Sequence, residues 1–377
     1  MDKRTSAIDM KIKNCISLLR IIVDNPGINR KRISVMTGLS NQTITNLVRD
    51  LMARGVVREV EKGIVDYGRP PIGLEFCYDK IYIISVAMTY NQASFYLNDL
   101  NGKVLASTST QLKFGCDLKA ILLDGIKAVR QNFLDTKISS IIINAEGVSD
   151  EMESTIRFIK SLGIKDFNVE KELEELKIPI WLVNDVNLIS HDVLNLDTNM
   201  QNFLIVKYSS GIGCSTVVNR AITKTGQHNM PGKFSHTKVF GTGEHNKCWC
   251  GGENCLATFI SQDGLEIKFK KDFQLVLEDI KDNKDPVYRS YMQKLWVQAL
   301  TNYIILLGIE RIFLCGSSSD ILGQDFFKEV DVCIKKELPY WIGYQGIELI
   351  GLKSCPELSS MFFVKNVLDI KNIYKVV

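Results

Sequence analysis

From Lys80 onward the chain runs twice through one order of elements, and that repeat restricts the fold more than any single motif does. "KIYIISVAM" reads as a buried strand, and "SFYLNDLNGKVLASTS" as a hairpin turning at Asn101-Gly102. A helix near Leu118–Phe133 leads to the strand "SSIIINAEG". A polar helical stretch (Val169–Leu176) precedes the strand "IPIWLVND". After the helix "VNLISHDVL" a second series begins, with "NFLIVKYS" and "CSTVVNRAI" flanking the turn "SGIG", then helices, then the strand "IERIFLCG". Two such series predict a duplicated α/β fold of two lobes. Ligand sites of α/β proteins lie at strand carboxyl ends, and "VND" and "LCG" are such ends.

The segment before this repeat obeys a different period. In "NCISLLRIIVDNPG", Cys15, Ile16, Leu19, Ile22 and Val23 recur at helical spacing, and Asn25-Pro26-Gly27 ends the run. Asn29 then caps a short helix expected to bury Ile33 and Met36, "TGLS" turns through Gly38, and Ser40 caps a third helix. Ile44, Leu47, Val48 and Leu51 form that helix's inner face, and Gly55 follows its end. Two helices joined by a short Gly-containing turn describe a helix-turn-helix. Its outward residues are Gln42, Thr43, Asn46 and Arg49, whose amide and guanidinium groups can pair with base edges in a major groove. Two β-rich runs around Lys62-Gly63 read as a wing, and "YGRPP" (Tyr67–Pro71) as a stiff basic linker whose Arg69 reaches a minor groove or a phosphate.

Charge agrees with that reading. The first 75 residues hold thirteen Lys/Arg against eight Asp/Glu, whereas the remaining residues hold 33 against 35, so the excess positive charge lies wholly in the first fifth. No apolar run reaches the ~18 residues that a membrane helix needs. The start of the sequence shows no apolar secretory core, and ten cysteines spread over 377 residues suit a reducing cytoplasm.

Three of those cysteines sit together in "CWCGGENC": Cys248-x-Cys250, then Cys255 after four further residues. They offer three soft ligands at loop spacing, which in a cytosolic protein points to zinc. Either His236 or His245 can supply the fourth ligand. Four protein ligands leave no open position for water, so the metal is expected to be structural.

In order and spacing the motifs resemble the ROK family (repressors, open reading frames, kinases), in the branch that carries a winged helix. The resemblance runs from about residue 12 to about residue 335, through "TGLSNQTITNLVRDLMARG", "GRPP", "EGVSD", "VNDVN", "SGIG", "GKFSH" and "CWCGGENCL". It implies a winged helix-turn-helix over residues 1–78, linker included. It implies an actin-like (ribonuclease H-like) two-lobed α/β domain over 79–377, with lobe 1 at about 79–183 plus the C-terminal end and lobe 2 at about 184–355. It also implies either a sugar kinase or a sugar-responsive transcription factor. The family's Glu-x-Gly-His motif ends in the histidine ligand, and His236 holds that place. The implied metal set is therefore His236, Cys248, Cys250 and Cys255, fixing the loop that carries His236 against the cleft.

The same resemblance separates the two activities. A sugar kinase needs a base for the hydroxyl proton and donors for the nucleotide phosphates. Asp185 matches the family's base and Asn184 its sugar-hydroxyl ligand. The family's Asp-x-Gly phosphate motif, however, has become Ala87 and Thr89, its sugar-binding glutamate Lys233, and a second carboxylate Ala257. No phosphotransfer is expected. Lys233 replaces an acceptor by a donor and reverses charge. The expected effector is thus anionic, a phosphosugar or sugar acid held by Asn184, Asp185, Lys233 and His236, unless Lys233 is neutralised by Asp185. The sequence-level function is a cytoplasmic, homodimeric DNA-binding regulator, a repressor of carbohydrate-metabolism genes. A carbohydrate kinase with an attached winged helix and a ligand-independent scaffold are the rivals.

Overall fold

The computed structural model describes residues 3–61, 72–197, 199–224 and 233–367. The first elements are α1 (Lys3–Asp24), β1 (Ile28–Asn29), α2 (Arg30–Thr37), α3 (Asn41–Ala53), β2 (Val57–Glu61) and β3 (Ile72–Phe76). The caps form locally. Asn29 accepts from the Arg32 amide, Ser40 accepts from the Thr43 amide, and Gly38 ends α2 with φ 71°, a left-handed conformation that favours glycine. Ile44, Leu47, Val48 and Leu51 are buried with Cys15, Leu18, Leu19, Ile22 and Ile33. Met36, expected inside, is 53% exposed. A helix of eight residues has room for one inward stripe, and Ile33 occupies it.

β3 lies between β1 and β2, pairing antiparallel with both, so the wing strand opposite β2 is Ile72–Phe76. The "YGRPP" stretch therefore connects the two wing strands rather than following the domain. Arg69 lies outside the described residues.

The chain continues with β4 (Tyr82–Met88), β5 (Gln92–Asp99), β6 (Val104–Gln111), α4 (Leu118–Arg130) and β7 (Ile138–Ala145). A short antiparallel hairpin follows, β8 (Val148–Asp150) and β9 (Thr155–Ile159), then β10 (Ile164–Asn168), α5 (Val169–Glu172) and β11 (Ile180–Asn184). After these come α6 (Asp185–Leu196), β12 (Phe203–Tyr208), β13 (Ile212–Val218) and β14 (Ala221–Ile222). Four helices follow, α7 (Ala257–Ile260), α8 (Gln262–Phe269), α9 (Phe273–Lys281) and α10 (Pro286–Leu307). The last elements are β15 (Arg311–Cys315), α11 (Ser317–Glu337), β16 (Gly346–Leu349) and α12 (Cys355–Phe362).

Two compact units result, one comprising residues 1–144, 161–182 and 355–377, the other 145–160 and 183–354. The first contains the winged helix and a five-stranded sheet ordered β11-β7-β4-β5-β6. α12 returns to this sheet through a buried polar chain: Ser85 Oγ donates to Asn98 Oδ1 (2.8 Å), Asn98 Nδ2 to Ser360 Oγ (3.0 Å), and Ser360 Oγ to the Asp99 carbonyl (2.9 Å). With each partner satisfied, burial costs little and the pairing is specific. The second unit holds the sheet β14-β13-β12-β15-β16, in which β12 runs parallel to β15 and antiparallel to β13. Tyr208, Phe234, Trp296, Phe326 and Phe327 are wholly buried in its core. Gly213 lets α6 approach β13, since a Cβ there would stand 2.8 Å from a Val186 methyl. Among the described residues no helix is long and apolar enough to cross a membrane.

Candidate functional site

On α3, Gln42, Asn46 and Arg49 are exposed and Thr43 is half-buried. Arg49 Nη2 donates to Asn46 Oδ1 at 2.6 Å and Gln42 Nε2 reaches the same oxygen at 3.4 Å, which aligns the three on one face. The Thr43 hydroxyl lies 2.9 Å from that of Ser40, so Thr43 shares in capping the helix. On the preceding helix α2, the exposed Lys31 and Arg32 form no ion pair among the described residues. They were absent from the sequence-level contact set, although their adjacency to Arg30 was a readable signal.

In the second unit, β11 ends at Asn184, which starts α6. The Asn184 side chain is already engaged: Oδ1 accepts from the Val186 amide (3.1 Å) and Nδ2 donates to the Gly147 carbonyl (3.3 Å). Glu151 holds the same turn from behind, accepting from the Asn184 amide (3.0 Å) and Asn187 Nδ2 (2.8 Å) and pairing with Lys224 (3.1 Å). Asn184 thus shapes the turn that presents Asp185, and each of its amide atoms has one partner already.

Asp185 does not pair with Lys233. Its Oδ2 accepts from Lys207 Nζ at 2.8 Å, and the same ammonium meets Glu146 Oε1 at 2.6 Å. Lys207 sits one residue from the end of β12, opposite Gly213 on one side and Cys315 on the other, at a strand carboxyl end. Burial pushes its ammonium down, but Asp185 and Glu146 together outweigh burial and hold its pKa above the ordinary lysine value. Sequence reasoning missed Lys207 as the partner of Asp185, and Glu146 as the second carboxylate on that ammonium. Lys207 is the one charge in the run "FLIVKY", and that was the available signal. Lys233, on the segment leading to His236, has its pKa lowered by burial, partly offset by Cys214 and Asp185. Its ammonium has no ion pair among the described residues.

The kinase-type parts lost from the sequence have other occupations. Ala87 pairs with Ser94 within the β4–β5 ladder. Thr89 Oγ1 closes the turn between these strands, accepting from the Gln92 amide and donating to its carbonyl (both 3.2 Å). Ala257 opens α7. None of the three offers a carboxylate.

Cys248, Cys250, Cys255 and His236 converge, with their four donor atoms all within 4.8 Å of one another. The loop folds on itself through the Cys248 amide to Gly252 carbonyl bond (2.8 Å) and the Val239 amide to Asn254 carbonyl bond (2.9 Å). Cys250 Sγ and Cys255 Sγ are 3.7 Å apart, and Cys248 Sγ is 3.5 Å from His236 Nδ1. Bonds of about 2.3 Å in a tetrahedron set sulfurs roughly 3.8 Å apart, so these donors fit a zinc-sized ion. His245 is not among the four. Trp249 stacks on Phe158 (5.2 Å) and meets His236 edge-on (5.1 Å). Phe234, two residues before His236, is buried against Trp296 and Tyr303. The cluster is therefore tied to the core from both ends.

Comparison with known proteins agrees with this architecture. Residues 83–338 match the ROK family and residues 16–58 match the winged helix-turn-helix DNA-binding family. The chain is 26% identical over 271 residues to the xylose repressor of Bacillus subtilis, covering 70% of each protein. It is 23% identical over 268 residues to the DNA-binding transcriptional dual regulator NagC of Escherichia coli, covering 68% of this chain and 64% of that one. In structure it is similar to a ROK family transcriptional regulator described as a homolog of the E. coli MLC protein, with TM-score 0.80, 19% identity, and 97% and 99% of the two chains covered. A ROK hexokinase from Thermus thermophilus superposes with TM-score 0.61 at 17% identity, covering 78% of this chain and all of that one. The match over residues 83–338 spans more than half of the sequence, and this chain is a member of the ROK family with a winged helix-turn-helix preceding the family domain.

Proposed function

We propose that this protein is a sequence-specific DNA-binding regulator, a repressor of carbohydrate-metabolism genes, whose kinase-like lobe no longer transfers phosphate. The carrying observation is the exposed Gln42–Asn46–Arg49 face on a capped recognition helix. Planar amides and a guanidinium supply the bidentate donors and acceptors that base edges require, and the exposed Lys31 and Arg32 of α2 suit phosphates. The regulators among the relatives, the xylose repressor and NagC, support the carbohydrate connection. We place the protein in the cytoplasm as a homodimer, with two recognition helices on half-sites a whole number of helical turns apart. Immunoprecipitation of bound chromatin is expected to recover a few discrete sites upstream of carbohydrate genes. Uniform recovery across the genome would refute sequence-specific control.

The loss of catalysis rests on Asp185. A general base must offer a free carboxylate to a hydroxyl proton, and here the Lys207 ammonium already occupies one of its oxygens. Hexoses with ATP are expected to give no turnover above background. Removing the cation should be costly, because it takes away the one ammonium that bridges the Glu146 and Asp185 carboxylates. Lys207→Met is expected to lose about 3 kcal/mol in urea unfolding, and a loss below about 1 kcal/mol would show that the triad does not hold this turn.

Lys233 defines the effector in this reading. A half-buried ammonium without an ion pair among the described residues prefers an anionic ligand, a phosphosugar or sugar acid, with Asp185, Asn184 and the second ring nitrogen of His236 reaching hydroxyls. For such a ligand to regulate, it must bind unequally to the DNA-competent and DNA-released states. Calorimetry is expected to show binding of a phosphosugar that Lys233→Met abolishes. Tight binding of neutral hexoses alone would exclude the anionic class. His236, Cys248, Cys250 and Cys255 would hold zinc, and zinc when bound supplies a rigid crosslink with no open coordination site.

A further inference from the structure

The backbone of the metal loop places a cation against one of its sulfurs. The Val239 amide donates to the Asn254 carbonyl (2.9 Å) and the Leu256 amide to the Thr237 carbonyl (2.8 Å), so Lys238 lies opposite Cys255 in an antiparallel bridge. Lys238 as a whole is exposed, but its ammonium turns back over the loop. Nζ donates to the Glu253 carbonyl at 2.6 Å and to Cys255 Sγ at 3.3 Å. Gly252 leaves room for it. A Cβ there would stand 2.7 Å from Nζ, yet at 3.6 and 3.8 Å would only touch the sulfurs of Cys250 and Cys255. The missing side chain at Gly252 is therefore the notch that admits the ammonium.

The charge of the centre gives this contact a purpose, on the reading of His236, Cys248, Cys250 and Cys255 as zinc ligands. Three thiolates and a neutral imidazole around a dication leave the centre negative. Cys255 is wholly buried, so water cannot solvate its sulfur, and a buried anion needs a donor or a cation. An ammonium hydrogen-bonded to the sulfur is both. We propose that Lys238 is a positioning residue of the metal centre, whose ammonium neutralises the Cys255 thiolate and fixes the direction of that sulfur. His236 and Lys238 stand on one segment, Gly252 and Cys255 on the other, so ion and ammonium join the same two segments. The hold on the metal then depends on a side chain that does not touch it. The rival role is a tether, in which only the bond to the Glu253 carbonyl matters.

The test uses the full chain with zinc, in competition with a fluorescent chelator. Lys238→Met is expected to bind zinc about 10- to 100-fold more weakly than wild type, the usual cost of losing a partner of a metal ligand. Lys238→Arg, which keeps charge and donors, should stay within about threefold of wild type. Gly252→Ala keeps the lysine but fills its notch, and should weaken zinc as Lys238→Met does. With cobalt(II) in place of zinc, the thiolate-to-metal charge-transfer band of Lys238→Met should move to longer wavelength, because a thiolate without a donor gives up charge more readily. A tether would leave that band where it is. The zinc-free forms of wild type and Lys238→Met should unfold within about 2 °C of each other. Unchanged zinc affinity in Lys238→Met, an unmoved cobalt band, or a clearly lower zinc-free midpoint would each overturn the assignment. Wild type that holds no zinc would overturn the metal reading itself, whereas wild type and Lys238→Met that hold it equally would overturn only the role of Lys238.

Discussion

Replacing Gln42 and Arg49 together by alanine is expected to weaken operator binding by about 2–5 kcal/mol, roughly 30-fold to a few thousandfold. Both side chains are exposed and both hydrogen-bond Asn46, so their removal takes two base-reading groups and leaves Asn46 unsupported. Neither packs in the core. Ile44, Leu47, Val48 and Leu51 on the opposite face carry the fold, so the thermal midpoint should not move. Quantitative gel shifts on a fragment recovered from chromatin, with random duplex as competitor, separate the specific loss from the non-specific one. Lys31→Gln and Arg32→Gln should behave differently. Each should weaken binding to all sequences alike and reduce the salt slope by about one. If the double alanine variant binds its operator as wild type does, α3 is not the reading helix.

Loss of the metal should produce the second large effect. Purified protein is expected to hold one zinc per chain by elemental analysis, and Cys255→Ser to hold almost none. Cys255 is wholly buried, bridges to Lys238 through its backbone, and is followed by the buried Leu256. A serine there leaves a poor ligand and an open coordination position. We expect a loss of about 3 kcal/mol, read as a midpoint lower by roughly 6–12 °C. A chelator should reproduce that drop in wild type and add nothing in the variant. His245→Ala should retain metal and midpoint, because the fourth donor in the cluster belongs to His236. Full zinc occupancy in Cys255→Ser would exclude this ligand set.

Several local features were readable without coordinates. The Asn29 and Ser40 caps, the left-handed Gly38 and the inner face of α3 depend on groups three or four residues apart, a distance at which residue type alone is informative. Met36 was misplaced because an eight-residue helix shows barely two turns of pattern. The wing was misread because β3 pairs with β2 across a ten-residue connection that resembles a linker.

The amino-acid sequence by itself determined the helix-turn-helix, the two α/β series, the clustered metal donors and the absent kinase carboxylates, because each is written in residue type and short spacing. Tertiary structure alone decided what Asp185 faces. Lys207 lies 22 residues from Asp185 and 61 from Glu146. Three charges that far apart meet only once β12 has paired with β13 and β15 and α6 has settled on the sheet beside Gly213. Likewise the sequence did not show that helix α6 claims one lone pair of the Asn184 amide oxygen as a cap. A long-range ion pair depends on the packing of whole elements, and no local pattern in the chain encodes it.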